Sequence, residues 1–141
     1  MATIVINAER EVMGRMASLA AKNALMGNDV VIVNADKAYV SGSMDNIYEQ
    51  NLHKLTIKNK GNFMKGPYHP KRPDLYVRRA VRGMLPWKKT RGREAYKRVR
   101  VYIGTPAEKL ADLKVPECAP SKKLRRKVTV GEICKFIGGS W

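Results

Sequence analysis

Three arginines carry the strongest chemical signal in this sequence: Arg78, Arg79 and Arg82, within the stretch PDLYVRRAVRGMLPW at residues 73–87. A guanidinium is a planar, permanently charged fork that meets a phosphate with two parallel hydrogen bonds. At about 100° per residue the three fall on one side of a helix. Val77, Ala80, Val81, Met84 and Leu85 follow the i, i+3, i+4, i+7, i+8 pattern of a buried stripe. Asp74 after Pro73 predicts the N-cap, and Pro86 the stop. With Met84 in the core, Met84→Asp is expected to unfold the chain. A solvated charged face is the ordinary reading of such a run. It fits poorly here, because carboxylates at helical spacing are nearly absent.

The neighbours of this helix repeat its chemistry. Lys60, Lys65, His69, Lys71 and Arg72 precede it, in a segment (58–72) rich in Gly, Pro and Asn. Lys88, Lys89, Arg91 and Arg93 follow, and then a short helix predicted over 94–98 with Lys97 and Arg98. Lys122, Lys123, Arg125 and Arg126 form a further cluster near the C-terminus. Gly61, Gly66 and Gly92 are expected to let the backbone approach a ligand. Flexible basic flanks of this kind resemble segments that order on RNA. Single-strand readers interleave aromatic and basic residues, whereas Phe63, Tyr68, Tyr76 and Trp87 are scattered and no RNP motif occurs. The expected mode is therefore recognition of a folded RNA's shape and phosphates, with Tyr76 and Trp87 as packing residues.

The distribution of charge supports this. The chain has 141 residues, 28 Lys plus Arg against 12 Asp plus Glu, and a net charge of +16. Residues 1–57 hold 5 basic and 6 acidic side chains, residues 58–100 hold 15 and 2, and residues 101–141 hold 8 and 4. The first third reads as an ordinary soluble fold, and the middle carries the footprint of an anionic partner.

Other chemistries find less support. Asn7–Arg15 has neither G-x-G-x-x-G nor a P-loop, and its Glu9 and Glu11 would repel phosphate. His53 and His69 are too few and too far apart for a metal set. Asp36, Asp45 and Glu49 would have to share a pocket to hold a metal for RNA processing. Cys118 and Cys134 make no disulfide framework, and Cys134 is expected to be a buried, inert thiol. No catalytic residue, metal, cofactor or small-molecule substrate is expected. No apolar run approaches a membrane span, and the N-terminus lacks a leader, so the chain is expected to stay in the compartment where it is made.

The elements that must position these residues alternate. Thr3–Asn7 reads as a strand and Arg15–Met26 as an Ala-rich helix with Met16, Leu19, Ala20 and Ala24 on its sheet face, stopped at Gly27 and Asn28. The run Val30–Val33 reads as a parallel strand covered on both faces. Ala38–Val40 is a candidate extension of the sheet, and Ser43 a cap for a helix to about Lys54 with Met44, Ile47, Tyr48 and Leu55 on one side. Val99–Ile103 is a further strand. Thr129 and Glu132 have capping-box spacing before the apolar stripe Val130, Ile133, Cys134, Ile137. Alternating strands and helices favour an α/β layered fold, in one domain over residues 1–141. Its RNA-facing segment would span about 58–100, and a basic C-terminal segment about 121–141.

These residues resemble a known family. The string VRGMLP at 81–86, followed by Lys88 and Arg91-Gly92-Arg93, is similar to the universal large-subunit ribosomal protein family "L-thirteen", in its archaeal form. Ile6-Asn7-Ala8, the GRMAS at 14–18, the VIVNA at 31–35, Ser41-Gly42 and the RVYIG at 100–104 extend the match over about residues 3–106. The chain starts at the first strand, unlike bacterial relatives with an N-terminal extension, and lacks the long C-terminal extension of eukaryotic ones. The resemblance implies a three-layer α/β/α fold around a mainly parallel sheet of about four strands, with basic loops and a C-terminal helix. It implies a cytoplasmic structural constituent of the large ribosomal subunit that binds large-subunit rRNA early in assembly beside other ribosomal proteins, without catalysis. The family's basic positions matched here are Arg82, Lys88, Arg91 and Arg93; the remaining candidates rest on charge and helical geometry. The alternatives are a non-ribosomal RNA-binding regulator and a metal- or nucleotide-dependent RNA-processing enzyme.

Overall fold

A computed structural model of the protein describes residues 2–106 and 124–141. Three short strands, β1 (Thr3–Asn7), β2 (Asp29–Val33) and β4 (Val99–Val101), form a parallel sheet in the order β1-β2-β4. The register pairs Ile4 with Val30 and Ile32 with Val101. The α/β class and the mainly parallel sheet stand as expected, with three parallel strands among the described residues rather than about four.

Side-chain alternation divides the two faces of this sheet. Ile6, Val30, Ile32 and Val99 point to one core, and Val5, Val31 and Val33 to the other side, where Tyr102 packs. Val30 to Val33 are all buried, as a strand covered on both faces requires. Helix α1 (Met13–Leu25) lies on the first face through Met16, Ala17, Ala20, Ala21 and Ala24. Alanines let helix and sheet backbones come close while still excluding water. Leu19, expected on that face, is 52% exposed, because the Ala17–Ala21–Ala24 row already fills the contact. Gly27, at φ +96°, makes the reversal that ends α1.

The segment expected to extend the sheet does something else. β3 (Tyr39–Ser41) pairs antiparallel with β5 (Lys127–Thr129), a strand that no sequence signal marks. A single parallel bridge from Tyr39 to Val12 ties this ribbon to the start of α1. Helix α2 (Met44–Thr56) starts after Ser43, which occupies the cap position without a side-chain cap hydrogen bond. α2 buries Ile47 while Met44 is exposed. Helix α5 (Val130–Phe136) follows β5 directly. Thr129 and Glu132 make both bonds of the capping box, and Val130, Ile133, Cys134 and Ile137 are all buried.

Helix α3 (Pro73–Gly83) carries the arginines. Its N-cap is Arg72 rather than Asp74; Pro73 takes the first helical position, where a missing N–H costs nothing. Asp74 lies in the first turn and pairs with Arg72 at 3.2 Å. Val77 and Val81 are fully buried and Leu85 nearly so, but Met84 is 44% exposed. The last turn loosens after Gly83, so the stripe skips Met84 and resumes at Leu85. Helix α4 (Thr90–Lys97) begins four residues earlier than expected and absorbs Arg91 and Arg93 from a segment that reads as a loop in sequence.

Candidate nucleic-acid interface

The i, i+4 spacing of Arg78 and Arg82 places both on the flank of α3 that faces the following segment and α4. There they meet two aromatic rings. The guanidinium carbon of Arg82 lies 4.2 Å over the Trp87 ring and that of Arg78 lies 4.6 Å over the Tyr96 ring. Trp87 and Tyr96 touch edge to face, with centroids 5.1 Å apart. The result is a braced row: guanidinium, indole, phenol, guanidinium. A ring face attracts and orients a cation without neutralising it. Trp87 and Tyr96 are thus packing residues whose packing aims arginines. Sequence reasoning missed Tyr96, and the Arg-x-x-x-Arg spacing ahead of two aromatics was the available signal.

Arg93 adds to the same group. Its Nε donates to the Trp87 carbonyl at 3.3 Å. Gly92 is buried against this turn; a Cβ there would sit 2.2 Å from the Pro86 carbonyl oxygen. That glycine serves an internal contact between α4 and the Pro86 turn, not the approach of a ligand, which corrects its expected role. Arg91 points the other way and donates to the Leu25 carbonyl, at 3.4 Å, at the end of α1. Lys88, Lys89 and Lys97 are exposed, and Arg98 is half-buried at the end of α4.

Arg79 leaves α3 on its other flank, donating to the Tyr68 carbonyl in the chain before the helix. With Lys54, His69 and Asn51 it lines a cavity of about 390 Å³, walled by Pro70 and Tyr76 among others. Burial, then the positive charges of Arg79 and Lys54, push the His69 pKa below its ordinary 6.5. Lys54 had no signal in sequence, since only the fold brings the end of α2 beside His69. Tyr76 sits deeper, its hydroxyl donating to Asn51 at 3.2 Å. Lys60, Lys65 and Lys71 are exposed on the preceding loop. That loop is stapled by the Asn59 side chain, which accepts from the N–H groups of Gly61 and Asn62.

Arg125 and Arg126 are exposed on the chain entering β5, where the Gly42 N–H donates to the Arg126 carbonyl. Lys122, Lys123 and Cys118 lie outside the described residues. Among the described residues, Arg72 is the one member of the expected set with a carboxylate partner. Among the described residues the cations of α3 and α4 therefore make no ion pair with a carboxylate.

The enzymatic alternatives lack their geometry. Asp36 lines one cleft with Glu9 and Lys37, while Asp45 and Glu49 line another with Tyr48 and Leu52. The shared acidic pocket required for metal-dependent RNA processing is not formed. Among the described residues no three His, Cys, Asp or Glu side chains gather at metal-binding distance. Burial pushes the Cys134 thiol up to about 12, so it is no nucleophile at neutral pH.

A family model described as ribosomal protein L13 matches residues 1–108. The chain belongs to the ribosomal protein L13 family. The match spans the sheet, the arginine helix and the Trp87–Tyr96 brace, and stops short of Arg125 and Arg126. Relatives named large ribosomal subunit protein uL13 are similar over nearly the whole chain. The protein from Methanopyrus kandleri is 44% identical, over 95% of this chain and 86% of its own. That from Methanococcus maripaludis is 41% identical, over 98% and 99%, and that from Halobacterium salinarum 38%, over 99% and 93%. The archaeal character of the resemblance holds, and so does its ribosomal, non-enzymatic class. Among the described residues no helix is long and apolar enough to cross a membrane.

Proposed function

We propose that the protein is a cytoplasmic structural constituent of the large ribosomal subunit that binds and stabilises large-subunit rRNA. The α/β core holds α3 rigid. Arg78, Arg82 and Arg93, braced through Trp87 and Tyr96, form the centre of the contact. Arg79, the 58–72 loop and the cations of α4 lie along neighbouring phosphates and offset their mutual repulsion. Incorporation early in assembly is part of this proposal and rests on the family resemblance. Other ribosomal proteins are its neighbours, and no cofactor or small substrate enters.

The observation that carries this reading is the guanidinium row held over aromatic rings, with no ion pair to a carboxylate among the described residues. A row built for stability alone would be expected to carry acidic partners. The test is Arg82→Ala measured against a large-subunit rRNA fragment over a salt series. Removing one phosphate contact reduces the slope of log affinity against log salt by roughly 0.7–0.9. The variant should bind more weakly, with a slope shallower by about that amount, while its melting curve stays close to that of the parent chain. Unchanged affinity and slope would refute the role of Arg82.

A further inference from the structure

The α2–α5 face departs from the rest of the molecule in both polarity and sign of charge. α2 turns Met44 and Leu52 outward, 49% and 45% exposed. Phe136 of α5 lies flat on Tyr48, ring centroids 3.9 Å apart and planes 10° from parallel, and is itself 43% exposed. Tyr48, Leu52 and Phe136 line one shallow cleft with Asp45, Glu49 and His53, and among the described residues neither Lys nor Arg takes part in that lining. Isolated exposed apolar residues are ordinary, but a continuous apolar cleft rimmed by charge marks an interface. In a chain of net charge +16, two carboxylates at that rim are an exception.

We propose that this cleft docks another protein: an apolar segment bearing Lys or Arg side chains. Its cations meet Asp45 and Glu49, and its apolar side chains fill the space between Leu52 and Phe136. Charge complementarity selects this occupant. RNA would set phosphates against the two carboxylates, and like charges in contact are strongly disfavoured. The inference rests on the assignment to the large subunit and adds a division of labour. The α3–α4 surface faces RNA, and the α2–α5 surface faces a basic neighbour.

The experiment places a photo-crosslinking phenylalanine analogue at position 52, in place of Leu52, in the full-length tagged chain. Large subunits are isolated, irradiated and mapped by mass spectrometry. The expected product joins position 52 to a Lys- or Arg-bearing segment of a ribosomal protein. That product should disappear when Asp45→Lys and Glu49→Lys are combined, while co-sedimentation with the subunit persists. A crosslink to rRNA, a crosslink to a second copy of this chain, or no crosslink in sedimenting subunits overturns the proposal. A chain that never co-sediments refutes the ribosomal assignment itself, and this inference with it.

Discussion

At the residue scale, the arginines are defined as much by their supports as by their charge. A free arginine on a helix samples many rotamers and loses that freedom on binding. One held over an aromatic ring is already restricted, so less freedom is given up when phosphate arrives. His69 obeys a different logic. Burial, and then the charges of Arg79 and Lys54, hold its folded pKa below the ordinary value. The folded state therefore binds that proton less tightly than the unfolded chain. The stability this group contributes is present above about pH 6.5 and is lost as pH falls through the lower folded value. In the free protein its imidazole resonances should titrate with a midpoint below 6.5. If the cavity faces phosphate, adding an rRNA fragment should raise that midpoint by supplying negative charge. A midpoint that stays put on RNA binding would remove His69 from the interface.

At the element scale, α3 has to do two things on one short cylinder, and the structure shows where the division runs. Val81 is fully buried and Met84 is not. Val81→Asp should place an unpaired charge in the core and cost several kcal/mol, enough to abolish cooperative melting. Met84→Asp should shift stability by no more than roughly 0.5 kcal/mol, as surface changes do. Thermal melts of the pair decide the orientation of the helix, and equal losses would contradict it. The junction of α3 and α4 gives a sharper case. Gly→Ala inside a helix ordinarily gains up to about 1 kcal/mol from propensity. At Gly92 the new methyl would collide with the Pro86 backbone. Gly92→Ala should therefore destabilise by about 1–3 kcal/mol, the usual cost of overpacking, and should weaken RNA binding by displacing Trp87 and Arg93. A gain in melting temperature would show that the turn can move aside.

At the scale of the whole molecule, net charge dominates. Twenty-eight cations on 141 residues repel one another wherever no anion screens them. At 0.1 M salt the screening length is about 10 Å, comparable to the spacing of groups along α3 and α4. The free protein should therefore melt at a higher temperature as salt is added, whereas its complex with RNA should weaken under the same change. Opposite slopes for stability and binding, in one buffer series, would be the signature of a surface shaped for phosphate. A free protein that loses stability with salt would instead depend on internal ion pairs. The acidic, apolar α2–α5 face is the complement of this arrangement, and its two carboxylates, Asp45 and Glu49, come from α2, in the part of the chain with slightly more acidic than basic residues.

Much of this was legible from periodicity and composition. The two strands, the Ala-rich helix, the capping box before α5 and the VRGMLP string all report local geometry or a specific family motif, and each reads correctly without coordinates, although β1 buries only Ile6 where β2 buries Val30 to Val33. The concentration of cations at 58–100 was plain in the same way, since charge is a property of the chain before it folds. Pairings between distant segments were not legible. The ribbon of β3 with β5 joins residues almost ninety positions apart, and two three-residue strands carry too little pattern to announce it. The exposure of Leu19 and Met84 depended on which neighbours filled the available space first. Gly92 serves Pro86, and Lys54 stands beside His69, because packing in three dimensions decides which side chains compete for one space. That one helix would carry three arginines on the side opposite an apolar stripe follows from the order of residues alone. What holds those arginines is settled only on folding, because the brace is made by rings from outside that helix.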